Sequence, residues 1–114
     1  MADSQNFEMF QGTDKALAIS IKDNDGDPVD VSGASAIQYE ISKSQSATVA
    51  LVTKTLGAGI AVVTSTVTVT LVDTDTEDIS GNHYHEIELT DASGYIHTAF
   101  AGWIDIMPTR IAQA

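Results

Sequence analysis

The stretch GNHYHEIEL, residues 81–89, holds the densest set of chemically able side chains, with His83 and His85 two apart and Glu86 and Glu88 close behind. In an extended strand alternate residues share a face, so His83, His85, Ile87 and Leu89 project one way and Tyr84, Glu86 and Glu88 the other. Two neutral imidazoles at i and i+2 can chelate zinc or another divalent ion. Such a site needs a third ligand, and both glutamates lie on the wrong face. His97, in the following strand, becomes that ligand only if the register carries it across. The parity that includes Ile87 and Leu89 marks this face as core-directed. The expectation is therefore the edge of a sheet, with His83 and His85 at the strand's entry where this face passes from solvent to core, with no metal and no cofactor, and with His83, His85 and His97 as the residues to watch.

Other candidates are weaker. DNDGDPVDVSG, residues 23–33, places Asp23, Asp25 and Asp27 at alternate positions like the start of a calcium loop. An EF-hand needs Gly at its sixth position and Glu at its twelfth, but Pro28 and Ala34 stand there. The run reads as a tight turn, with a looser calcium site shared with Asp73, Asp75 and Asp78 as the alternative. No serine sits in a Gly-x-Ser-x-Gly elbow, and no glycine loop of the phosphate-cradling type occurs. Glu86 and Glu88 share a face as a glycosidase pair would, but a chain this short implies no cleft between them. Trp103, Tyr84, Tyr95 and Phe100 suit either a sugar-stacking strip or core and interface anchoring. The chain is expected not to be an enzyme.

The elements that must position these residues are strands. KALAISIKD sets Leu17, Ile19 and Ile21 against Ala16, Ala18, Ser20 and Lys22; AIQYEIS and TVTVTL repeat that two-residue alternation. Alternation of this kind, in β-branched and aromatic residues between Gly, Asp and Ser turns, marks half-buried strands. FEMFQ, TVALVTKTL, IAVV, YIHTAF and WIDIM supply the others, with a bend expected at Ala101-Gly102. DTDTEDI can close one helical turn, with Thr74 or Asp75 as its cap. The sum predicts an all-β, immunoglobulin-like antiparallel β-sandwich of seven to nine strands. In such sandwiches a tyrosine near the start of the sixth strand ties down a corner; Tyr84 or His83 suits that place, the phase being open by one residue.

A chain of 114 residues is one domain by size, read as an arm at 1–6, a sandwich at 7–108 and a tail at 109–114. There is no cysteine, which removes disulfides and thiolate sites. Sixteen acids against five bases give a net charge of −11. That balance opposes binding to nucleic acid or to an anionic membrane, and suits solubility or docking onto a basic protein surface. MADSQNFEMF has neither the basic start nor the apolar run of a signal peptide. No stretch approaches the roughly 18 apolar residues of a membrane span.

GTDKALAISIKDNDGDPVDVSGASAIQYEI, then VTVTLVDTDTEDISGNHYHEIELTDASG and AGWIDIMPT, resemble small immunoglobulin-like modules of tailed bacteriophages. They are similar to the N-terminal sandwich of phage baseplate upper proteins, over about residues 7 to 108. The resemblance rests on the Asp25-Gly26 turn, the segment from Pro28 to Ala34, and the strand from Gly81 through Tyr84 to the Asp91–Gly94 turn. It implies a virion structural protein with no catalytic residues, made in the host cytoplasm. Its expected role is that of a capsid decoration protein or a small tail, neck or baseplate adaptor. Partners would be major capsid or tail proteins, met in a homo-oligomer or repetitive assembly through edge strands and the terminal arms. Phe7, Met9, Phe10, Trp103 and Met107 are the expected interface residues, with the core as their alternative place. A carbohydrate-binding sandwich is the rival reading.

Overall fold

The computed structural model describes residues 7–108; the arms expected at 1–6 and 109–114 lie outside the described residues. Eight strands and one helical turn follow in order: β1 (Phe7–Phe10), β2 (Lys15–Ser20), β3 (Ala36–Ser42), β4 (Ala50–Leu56), β5 (Gly59–Val63), β6 (Thr66–Leu71), α1 (Asp73–Thr76), β7 (Gly81–Thr90) and β8 (Ile96–Met107). They form one sheet in the order β1-β8-β7-β3-β4-β5-β6-β2, nearly closed into a barrel. The fold is all-β, and the strand number falls within the expected range.

The sheet is mixed, which corrects the expectation of purely antiparallel pairing. β1 runs parallel to β8, and β4 meets β5 in parallel over two residue pairs. Both departures come from places where the chain changes direction within the sheet. After β1 it passes through Gly12, at φ 71°, and reappears as β2 on the opposite edge of the sheet. Between β4 and β5 it turns at Gly57-Ala58-Gly59, where Thr55 and Ala58 exchange backbone hydrogen bonds of 3.2 and 2.8 Å. Gly59 adopts φ 101°, and a Cβ there would stand 2.7 Å from Lys54 Cδ. Only glycine takes that conformation without strain.

The alternating apolar residues meet inside. Leu17, Ile19, Val67 and Val69 from β2 and β6 share one cluster with Ile37, Tyr39, Ile87, Phe100 and Ile104 from β3, β7 and β8. Burying each such side chain contributes about 1.5–3 kcal/mol, which is how a sheet of short strands holds together without crosslinks. Among the described residues no helix is long and apolar enough to cross a membrane.

The helical turn is capped differently from expectation. Val72 is its N-cap, and the Asp75 carboxylate, inside the turn, accepts the Val72 N–H at 2.8 Å. Asp14, just before β2, accepts the Asp73 N–H at 2.9 Å from beside the end of β6. The buried Thr76 hydroxyl accepts the Gly12 N–H at 2.9 Å, so α1 anchors the crossing from β1 to β2. The irregularity expected at Ala101-Gly102 lies elsewhere. Ile87 pairs with Phe100 but Glu88 with Thr98, leaving Ala99 as the extra residue of a bulge, while Gly102 pairs regularly with His85. Ala99 and Phe100 are consequently both buried, a breach of alternation that a bulge produces.

Candidate functional site

β7 is the strand that carries the chemically able side chains, and its two faces lead to different places. On the inner face His85 is fully buried. Its Nδ1 lies 2.8 Å from the Tyr39 hydroxyl, and its ring meets Phe100 edge-on at 4.9 Å and Phe7 at 5.7 Å. Burial pushes the Tyr39 phenol well above its ordinary range, because a phenolate in this apolar setting loses its hydration. His83, also buried, has Nδ1 3.1 Å from the Gly81 carbonyl. His97 pairs with Leu89, four positions along β7 from His85, or about 13 Å at ~3.3 Å per residue. Three imidazoles so spread cannot share an ion with bonds near 2 Å. His97 instead bonds the Asp91 carboxylate, Nε2 to Oδ2, at 3.0 Å.

On the outer face Tyr84 pairs with Trp103 of β8, their rings 5.7 Å apart in an edge arrangement. Burial first, then the neighbouring Glu86 carboxylate, raises the Tyr84 phenol above its ordinary value. Beyond this pair Glu86 stands directly opposite Glu40, and Glu88 opposite Gln38. The Gln38 amide donates to the Glu40 carboxylate. These four residues line a shallow hollow of about 200 Å³. Like charges directly opposite each other in a sheet cost roughly 0.2–1 kcal/mol. The ion pairs among the described residues, Lys54–Asp75 and His97–Asp91, include none of these acids.

The five residues expected at an interface divide by parity. Phe7 and Met9 face the core, Phe7 half-buried and Met9 buried. Phe10 and Met107 pair on the other side of β1 and β8, the side that also carries Trp103. Phe10 is 55% exposed and Trp103 40%. The aromatic residues named for a sugar strip separate in the same way. Phe100 is buried inside, Tyr95 stands exposed near the β7–β8 turn, and Tyr84 and Trp103 alone are neighbours.

In the acidic turn after β2, the Asp23 Oδ1 accepts the N–H groups of Asp25 and Asp27 at 2.9 and 3.0 Å, and Gly26 takes φ 84°. Asp23, Asp25 and Asp27 offer carboxylate oxygens within 4.8 Å of one another. Asp73, Asp75 and Asp78 do not join them. Ser20 pairs with Thr66 and Lys15 with Leu71, which puts the Asp23 turn and α1 at opposite ends of β2 and β6. The shared loop site is ruled out by that separation. Sequence reasoning passed over the acids of the outer face as a group, since Glu40 and Glu86 are distant in the chain; their common outward parity was the available signal. Comparison with known proteins finds no family model and no curated protein that matches this chain.

Proposed function

We propose that this chain is a non-enzymatic structural module of a tailed-bacteriophage virion, docking onto capsid or tail proteins. It is made in the host cytoplasm and is carried in the particle. On this reading the sheet is an immunoglobulin-like sandwich, with β1, β8, β7, β3 and β4 as one layer and β5, β6 and β2 as the other. The β4–β5 turn is then the corner between them. The observation that carries the docking role is the pair of half-exposed aromatic residues, Phe10 and Trp103, on the outward side of β1 and β8. Exposed aromatic side chains at a sheet edge are what interface cores draw on, and β1, as an edge strand, has backbone groups available for pairing. The outward carboxylates oppose stacking of two copies through this face and favour a basic partner surface. Copies then repeat because the surface they dock on repeats.

Quantitative mass spectrometry of purified particles tests the reading. Hundreds of copies per particle place the chain on a capsid, a handful place it on the tail, and absence from particles overturns the proposal. Replacing both Phe10 and Trp103 by Ser is expected to lower occupancy at least about tenfold, at about 1–2 kcal/mol for each anchor.

A carbohydrate-binding module is the second reading, favoured by Tyr84 and Trp103 standing beside Glu40, Glu86 and Glu88. Saturable binding of a glycan by the isolated chain, lost in Trp103→Ala, would select it over docking.

A further inference from the structure

A second concave surface lies away from the docking face, between the segment joining β2 to β3 and the turn joining β7 to β8. It is a pocket of about 350 Å³ whose floor is aliphatic: Val29, Val31, Ala34 and Leu89. Its remaining wall carries two carboxylates, Asp30 and Asp91, with His97 beside the latter. Among the described residues no lysine or arginine lines it. The volume falls within the range of small-ligand sites, and an apolar floor with a few fixed polar groups is their usual make-up.

Both carboxylates are held in place by their own turns. Asp30 Oδ1 accepts the Ser32 hydroxyl at 2.6 Å and the Ser32 N–H at 2.9 Å. Asp91 Oδ1 accepts the N–H groups of Ser93 and Tyr95 at 2.9 and 3.0 Å, leaving Oδ2 to His97. These hydrogen bonds, the Ser32 hydroxyl foremost for Asp30 and the His97 side chain foremost for Asp91, hold both groups below the ordinary carboxylate value. The walls are tied to each other as well. Ser35 donates its N–H to the Thr90 carbonyl at 2.8 Å and its hydroxyl to the Asp91 carbonyl at 3.1 Å, and Val31 donates to Thr64 at 2.8 Å. Asp30 Oδ2 takes part in no hydrogen bond among the described residues and is open to a ligand. A pocket that is fixed before binding loses little in ordering its own groups.

We infer that this pocket receives an alkylammonium group, its carbon chain lying on Val29, Val31, Ala34 and Leu89 and its protonated nitrogen between Asp30 and Asp91. The charge selects a cation, and the floor selects one with an aliphatic stem over a compact metal ion. A lysine side chain on a protein and a free aliphatic amine share this chemistry. The inference is independent of the docking role.

Amide-shift titration of the isotope-labelled chain with n-pentylamine, against n-pentanol and pentanoate, tests it at neutral pH and low salt. Saturable shifts at Val31, Ala34 and Ala92 are expected with the amine, with the alcohol at least about tenfold weaker and the acid silent. Asp30→Asn is expected to weaken the amine about tenfold and leave the alcohol unchanged. The comparison of the three isosteres on the unaltered protein holds even if that variant folds poorly. A lysine-containing acetylated peptide, titrated in parallel, separates the sources: shifts at the same amides assign the pocket to a protein partner, and amine binding without peptide binding assigns it to a free amine. Equal affinity for amine and alcohol, or amine shifts that spread over the acidic surface without saturating, would overturn the inference.

Discussion

His85 and His97 belong to the same β7–β8 hairpin, and each is hydrogen-bonded to an oxygen at close range, 2.8 Å to Tyr39 and 3.0 Å to Asp91. Their surroundings could hardly differ more. The His85 pair is enclosed by Phe7, Phe100 and Tyr39 rings, whereas 46% of the His97 side chain is exposed to water. In the core the hydrogen bond is hard to replace, because both partners are buried away from solvent. At the surface water competes for both groups, and the ion pair is worth little. The same residue type is thus a structural member in one place and an accessible polar group in the other. Chemistry toward an outside molecule is open only to the second.

Mutation can break this contrast at the buried end most severely. His85→Ala removes a filled volume among three aromatic rings and the partner of the Tyr39 hydroxyl. It is expected to cost about 4 kcal/mol, combining the cavity and the stranded hydroxyl, seen as a lower urea midpoint. Should His85→Ala prove nearly neutral, the pair is not the internal support described here.

Tyr39→Phe keeps the ring and deletes only the hydroxyl, so a smaller loss of about 1–2 kcal/mol is expected, read from the same urea curves. Raising the pH probes the same group. The folded-state pKa of Tyr39 is raised above its ordinary 10.0. Its contribution to stability is therefore complete below 10.0 and is lost as the pH climbs toward the folded value, since the unfolded chain ionises first. The unaltered protein should lose stability on that alkaline limb faster than Tyr39→Phe does.

The exposed pair gives the opposite limb. The folded-state pKa of Asp91 is lowered from 3.8, so its contribution is present above 3.8 and disappears as the pH falls below that value. Asp91→Asn should flatten the acid side of the stability profile while leaving the alkaline side alone. His97→Ala is the mildest change, expected within about 0.5 kcal/mol at neutral pH by thermal unfolding. A cost as large as that of His85→Ala would erase the distinction between the two histidines.

Much of the fold was legible because a strand's side chains alternate with a period of two. Leu17, Ile19, Ile37, Tyr39, Val67 and Val69 could be assigned inward from their spacing alone, and all are buried. Parity with Ile87 and Leu89 pointed His83 and His85 toward the core, but the expected sheet edge is corrected: β7 lies between β8 and β3, and both histidines are buried. Parity also divided Phe7 and Met9 from Phe10, although the expectation had grouped them as one interface cluster. What alternation could not convey was where it is interrupted: the extra residue at Ala99 restarts the pattern in β8, and nothing in YIHTAFAGW marks that position over Gly102.

The residues themselves thus determined that this would be a β protein with a dry and a wet face to most strands, since that depends only on neighbours along the chain. That β1 runs parallel to β8, that Glu40 faces Glu86, that Tyr39 reaches His85, and that Asp30 and Asp91 close on one apolar pocket were decided by the tertiary structure. These are juxtapositions of segments tens of residues apart, set by how the whole sheet curls and turns to bury its apolar surface. No local pattern encodes them.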